Sequence, residues 1–223
     1  MTEKVKLIQS TPLSVAVIAG RTAWQSFHKG GNYETLTNNI TPEDKNFLDR
    51  IANKHKHHSV IEHLTYTFDI QGISRACLQE LARHRLASLT VKSTRYTLKE
   101  LKDEEPFNDF FNEIDYKRAS KYLVWTYKQD VDYLSFIALE NLRDLAQGGE
   151  SNDFIKYTLP ESYKTSLIWT INARSLRNFL ELRTNKAALW EIRDLAYHTW
   201  NEIPSEHKFL FEECVYTPTE TEK

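Results

Sequence analysis

Residues Leu64, Tyr66, Phe68 and Ile70 alternate with Thr65, Thr67 and Asp69, a period of two that puts the apolar side chains on one face of a strand. Such a strand needs pairing partners and a covering layer, so it commits the chain to a sheet packed under something else. Gly72 is expected to break the strand, and Ser74 to cap a helix that carries Cys77, Leu78 and Leu81 inward. That helix is expected to span residues 74–85 and end in Arg83-His84-Arg85, with Glu80, Arg83 and His84 sharing a face.

The rest of the chain supplies the covering layer. Residues 4–9 alternate, Val5 and Leu7 on one face, as a short strand. Thr11-Pro12 has the form of an N-cap followed by proline in the first helical position, opening a helix to about Trp24. Residues 28–39 read as a loop, and Thr41-Pro42-Glu43-Asp44 opens a helix with the stripe Phe47, Leu48, Ile51 and Ala52. Residues 99–105 are charged and expected at the surface. Residues 116–147 form one long helical pattern, apolar at Leu123, Tyr127, Leu134, Ile137, Leu142 and Leu145, stopped by Gly148-Gly149. A short element at 154–159 ends at Pro160, and 165–170 reads as a strand. Two amphipathic helices follow at 173–183 and 186–202, and a last one after Pro204. No repeat or linker interrupts this order. The expectation is one α+β domain over residues 1–223, mostly helical, with a small mixed or antiparallel sheet.

Charge and cysteine usage narrow the chemistry. The formal net charge is −2, without the basic excess of a nucleic-acid binder, so basic clusters are read as local sites. Cys77 and Cys214 form no Cys-x-x-Cys pair, which argues against a zinc ribbon or a disulfide scaffold. The six glycines make neither a Gly-x-Gly-x-x-Gly nor a P-loop pattern, so any bound nucleotide is held by another device. Neither a signal-peptide apolar region nor a membrane-length apolar run is present, and the expected location is the cytoplasm.

Three clusters carry candidate chemistry. Residues 83–96 hold four fixed cations (Arg83, Arg85, Lys92, Arg95), His84 and four aliphatic hydroxyls (Ser88, Thr90, Ser93, Thr94). Guanidinium forks and short hydroxyl donors suit phosphate or carboxylate oxygens, so a multiply anionic small molecule is the expected partner. The second cluster, His57-His58-Ser59 with Glu62-His63, lacks His-Glu-x-x-His spacing and suits hydrogen bonding to a polar ligand, or plain exposure, better than a metal. His55 is expected on the surface. In the third, 172–183, Leu176, Phe179 and Leu180 make the buried stripe, with Arg174 and Asn178 opposite. Arg183 falls within that stripe, where an unpaired guanidinium is costly. Either the helix has ended by then or Arg183 meets an anion or polar ligand. If the helix persists, Arg174 and Arg183 point in opposite directions, which implies sites shared between subunits.

These residues resemble the flavin-dependent thymidylate synthases. Arg83-His84-Arg85, then Ser93 and Arg95-Tyr96, is similar to that family's signature. His57-x-Ser59-x-x-Glu62-His63 resembles its flavin loop, and Asn172-x-Arg174-x-x-x-Asn178-x-x-x-x-Arg183 its C-terminal ligand helix. The resemblance implies a homotetramer with active sites where subunits meet. It implies conversion of dUMP to dTMP, with methylenetetrahydrofolate as carbon donor and NADPH-reduced FAD as hydride source, and neither nucleic acid nor membrane as partner. By carry-over, His57, Ser59, Arg83, His84, Arg85, Val91, Asn172, Ala173, Arg174 and Asn178 hold FAD. Glu80, Leu81, Ala82, Arg83, Val91, Lys92, Ser93, Thr94, Arg95, Lys156 and Arg183 hold dUMP, with Arg183 catalytic.

The chain departs from the family pattern at several points. Thr90 and Val91 stand where asparagine and glutamate are frequent, Glu80 replaces glutamine, and Lys156 replaces arginine, keeping charge but losing the bidentate fork. The competing readings are a non-catalytic nucleotide-binding domain and a nucleic-acid-binding module. The second is weakened because the aromatics are not interleaved with the basic run.

Overall fold

The computed structural model describes residues 4–31 and 34–217. Residues 32 and 33 of the expected loop, and the first three of the N-terminus, lie outside them. Strands β1 (Val5–Ser10), β2 (Thr65–Ser74), β3 (Ala87–Val91) and β4 (Lys164–Asn172) form one sheet in the order β1-β2-β4-β3. β1 runs antiparallel to β2, Val5 opposite Ile70 and Ser10 opposite Tyr66, with an irregularity between Leu7 and Gln9. Thr67 Oγ1 meets Thr170 Oγ1 at 3.0 Å, while further along β2 the Gly72 N–H donates to Ser166 Oγ at 3.4 Å, so β2 and β4 are also antiparallel. The alternation of β2 holds: Leu64, Tyr66, Phe68 and Ile70 are fully buried. Gly72, however, does not end the strand. It takes φ +69° and the strand continues to Ser74, a backbone excursion that glycine accommodates without steric cost.

The chain folds into two compact units, one from the described residues up to Ile70 with Arg83–Leu89 and the chain from Ile168, the other from Gln71–Ala82 and Thr90–Leu167. In the first unit, α1 (Leu13–Trp24), α2 (Pro42–Asp49), α8 (Ala173–Arg183) and α9 (Trp190–Glu202) surround rings drawn from the sheet. Phe68 lies 5.9 Å from Trp169, which lies 5.0 Å from Phe179 on α8. Thr41 caps α2 as expected, accepting from the Asp44 N–H. Thr11 does not cap α1. Its hydroxyl pairs with Thr65, and Asn38 Oδ1 from the following loop accepts the Leu13 N–H at 3.0 Å instead.

The second unit holds α3 (Arg75–Leu81), α4 (Thr94–Thr97), α5 (Glu113–Ala119), α6 (Gln129–Gln147) and α7 (Asn152–Ile155). The long helix expected over 116–147 is two helices. Between them Val124 N donates to Ser162 O and Lys164 N to Tyr122 O, an extended bridge that suits the β-branched and aromatic run Tyr122-Leu123-Val124-Trp125-Thr126. The core face of α6 is Phe136, Leu139, Leu142 and Ala146, whereas Tyr127, Leu134, Ile137 and Leu145 are exposed. Helix α3 stops at Leu81, short of the expected 85, so Glu80, Arg83 and His84 do not share a helical face. α9 begins at Trp190 and not at 186. After Pro204 only 3-10 turns form, at Lys208–Leu210 and Glu212–Cys214. The carbonyls a helix would use there are taken by side chains, Phe209 O by Asn53 and Leu210 O by Arg177. Among the described residues no helix is long and apolar enough to cross a membrane.

Candidate active site

Ser74 caps α3 by accepting the Cys77 N–H at 2.9 Å. On that helix Glu80 is half-buried and Leu81 buried, while Ala82 just beyond is exposed. In the first unit, Arg83 and Arg85 are exposed and make no ion pair among the described residues. His84 turns inward between them, 6 % exposed, with its ring edge-on to Phe179 at 5.0 Å. α8 does persist to Arg183, whose Nε donates to His84 Nε2 at 2.9 Å. An acceptor at Nε2 means a neutral imidazole with its proton on Nδ1. The guanidinium is therefore held in part by a neutral acceptor. This answers how Arg183 sits within the apolar stripe.

At the other end of α8, Asn172 caps the helix through the Ser175 N–H at 2.9 Å, and the Ala173 N–H donates to Leu64 O at 2.8 Å. Arg174 pairs with Glu62 at 2.7 Å, and both remain partly exposed. Arg174 and Asn178 line a cavity of ≈ 440 Å³ together with Lys56, His58 and Arg177. Burial, and next the Arg177 charge, hold the His58 pKa below the usual imidazole value, while its Nε2 bonds Ala52 O at 3.1 Å. His57 and Ser59 are exposed around the 3-10 turn His58–His63, His57 with its ring 5.8 Å from Trp24. His55 is exposed as expected.

The candidate dUMP residues of the second unit other than Glu80, Leu81 and Ala82 lie on and beside β3, α4 and α7. Val91 is exposed, and Lys92 is half-buried, bonding Glu100 through Nζ at 2.9 Å. Ser93 precedes α4 and its carbonyl accepts from the Thr97 N–H, while Thr94 opens the helix. Arg95 pairs with Asp153 at 3.2 Å and its carbonyl accepts from Asn152. Both partners line the same cavity, ≈ 420 Å³, as Arg95, and Lys156 does not. Lys156 instead stands over the Tyr157 ring, 5.6 Å from its centroid. Sequence reasoning missed Asp153 and Glu100 as partners and Lys56 and Arg177 on the α8 cavity, because nothing in local spacing marks residues that meet across long stretches of chain. Among the described residues no group of three or more His, Cys, Asp and Glu is placed to hold a metal ion.

The family model described as thymidylate synthase complementing protein matches residues 6–207. A flavin-dependent thymidylate synthase of Wolinella succinogenes is 56% identical over 209 residues, covering 93% of this chain and 96% of its own. One from Campylobacter jejuni is 54% identical over 217 residues, covering 97% of this chain and 100% of its own. Among solved structures, Thymidylate Synthase X from Helicobacter pylori with FAD and dUMP superimposes with a TM-score of 0.87 at 46% identity, over 96% of this chain and 99% of that one. The chain belongs to the flavin-dependent thymidylate synthases.

Proposed function

We propose that the chain makes dTMP from dUMP, with methylenetetrahydrofolate as carbon donor, FAD as resident cofactor and NADPH as its reductant. The observation that carries this reading is the bond from Arg183 to neutral His84, which joins the Arg-His-Arg signature to the C-terminal ligand helix in a chain of this family.

The donor set suits a flavin dinucleotide, whose pyrophosphate calls for cations and amides. Arg174 and Asn178 share a cavity, and Arg83 and Arg85 present exposed guanidinium groups. His57, Ser59, Arg83, His84, Arg85, Val91, Asn172, Ala173, Arg174 and Asn178 would hold FAD, which when bound supplies the hydride. Glu80, Leu81, Ala82, Arg83, Val91, Lys92, Ser93, Thr94, Arg95, Lys156 and Arg183 would hold dUMP. Ser93, Thr94 and Arg95 offer hydroxyl, backbone and guanidinium donors to its phosphate. The Arg183 charge beside the uracil NH favours the deprotonated ring and makes carbon 5 more nucleophilic. No thiol is then needed. Cys77 and Cys214 are buried, and burial raises the Cys214 pKa, which disfavours thiolate chemistry there.

The two compact units would act as a single domain, a reading supported by one family match running through both. The chain would assemble as a homotetramer in the cytoplasm with sites shared between copies, partnered by neither nucleic acid nor membrane. The exposed side chains Leu134 and Leu86 support a covered surface. The test is a flavin spectrum bleached by NADPH together with tritium release from labelled dUMP. A colourless protein without tritium release removes the enzymatic reading. A monomer in light scattering removes the shared sites.

A further inference from the structure

Outside the residues assigned above, the first unit contains a cavity of ≈ 400 Å³ between the end of α1, the following 3-10 turn and the start of the π-helical segment Arg50–Lys54. None of the residues that line it is acidic. Its walls carry Arg21, Lys29 and Arg50, with Trp24 and Phe47 as aromatic surfaces. Lys29 and Arg50 make no ion pair among the described residues. Arg21 is 5 % exposed and pairs with Asp44 at 2.7 Å through Nη2 alone. Its Nε, and Ser26 Oγ on the same wall, are buried and have no hydrogen-bond partner among the described residues.

Two features need an explanation together. Buried donors are normally satisfied, and orphaned ones mark a strained, wet or ligand-binding site. Arg21 has Asp44 as its counter-ion, but Lys29 and Arg50 line the cavity with no carboxylate among the described residues to offset their charge. The aromatic surfaces are compatible with the same ligand. Arg21 lies over Phe47 at 3.9 Å, and Trp24, half-exposed, stands edge-on to Phe47 at 6.2 Å and to His57 at 5.8 Å. A planar ring lying on Trp24 would have cations within reach of its charged substituent.

We infer that this cavity is a subsite for a small planar aromatic molecule bearing carboxylate or phosphate groups, with Arg50 and Lys29 taking the anion and Trp24 the ring. The inference rests on the proposed function only in its source for such a molecule, the anionic arm of a folate or of a pyridine dinucleotide. Trp24 touching His57, a candidate flavin residue, places the cavity beside that chemistry within the same unit.

The probes are 4-aminobenzoyl-glutamate, for the carboxylate arm, and adenosine 2′,5′-bisphosphate, for the phosphate arm. They are titrated calorimetrically into the purified full chain, beside the Lys29→Ala/Arg50→Ala double variant and Trp24→Ala. The expected result is saturable binding of one or both probes, weakened at least tenfold in each variant, with bound flavin and dUMP affinity unaltered. Whichever probe binds more tightly identifies the arm. Binding of neither probe, or equal binding by wild type and variants, overturns the inference and leaves the cavity water-filled. Flavin content and dUMP affinity are read separately in the same samples, so failure of the subsite and failure of the enzymatic reading are distinguishable. If the double variant misfolds, Trp24→Ala alone decides, because half of that side chain is already in solvent.

Discussion

Cations in the two units are answered differently. In the second unit, Arg118 bonds Asp115 at 2.9 Å and Glu104 at 3.3 Å, and Arg143 bonds Glu140 at 2.7 Å. Tyr122 and Lys121 close the same circuit on Glu104. These charges are neutralised where they stand, around a core that includes Phe107, Phe136 and Tyr163. In the first unit Arg83 and Arg85 meet no carboxylate among the described residues, and Arg183 is held in part by the imidazole of His84. The cations that serve packing are buried or nearly so against an anion of the protein, whereas candidate ligand cations such as Arg174 and Arg95 stay exposed even where they pair, with Glu62 and Asp153. Arg177 marks the boundary between these cases, since it sits on α8 with Arg183 yet is buried and bonded to Asn53, Leu210 O and Glu213.

The contrast is most exposed at Arg183. Arg183→Ala should keep flavin bound and lower turnover about a hundredfold or more, the scale of losing one preorganised electrostatic group. Tritium release from labelled dUMP reads the turnover and the visible spectrum reads the flavin. Undiminished turnover would remove the proposed role of the Arg183 charge.

The next largest effect concerns another imidazole used as an acceptor. His207 is fully buried, its Nδ1 2.8 Å from Tyr66 OH and its Nε2 2.9 Å from Asn38 Oδ1. Burial pushes its pKa down to about 4, so the folded state resists protonation. The unfolded chain takes up that proton near pH 6.5, hence it binds more protons than the folded chain between those values. Stability should be complete above about pH 6.5 and fall by about 3 kcal/mol as pH drops toward 4. Urea denaturation at pH 7 and pH 4.5 measures this, and His207→Gln should flatten the slope.

Arg118→Ala should cost about 2 kcal/mol of stability, because Asp115 loses its cation and Glu104 one of its two, and leave turnover per folded molecule unchanged. Thermal melts alongside active-site-normalised assays test it. The smallest effect belongs to Arg85→Ala, with stability within about 0.5 kcal/mol of wild type and flavin affinity down about tenfold. Equal loss of stability in the Arg85 and Arg118 variants would erase the distinction between the two units.

Much of this was legible before any coordinates. The period-two run at 64–70, the caps at Thr41 and Ser74 and the stripe Leu176, Phe179, Leu180 all reappear, because each depends on residues within one turn or one pleat. The family was likewise readable from motif residues in order. The helical reading of 116–147 failed because Leu123 and Val124 find strand partners at 162–164, and that pairing outweighs local periodicity.

What the sequence determined alone was therefore the element types, the apolar faces and the inventory of cations and hydroxyls. Tertiary structure decided which cations are neutralised. Arg183 and His84 are 99 positions apart, and Arg118 on α5 and Glu104 in the preceding loop lie 14 apart. No local period encodes such a meeting, since the electrostatic state of a side chain depends on what the folded chain brings within a few ångströms of it.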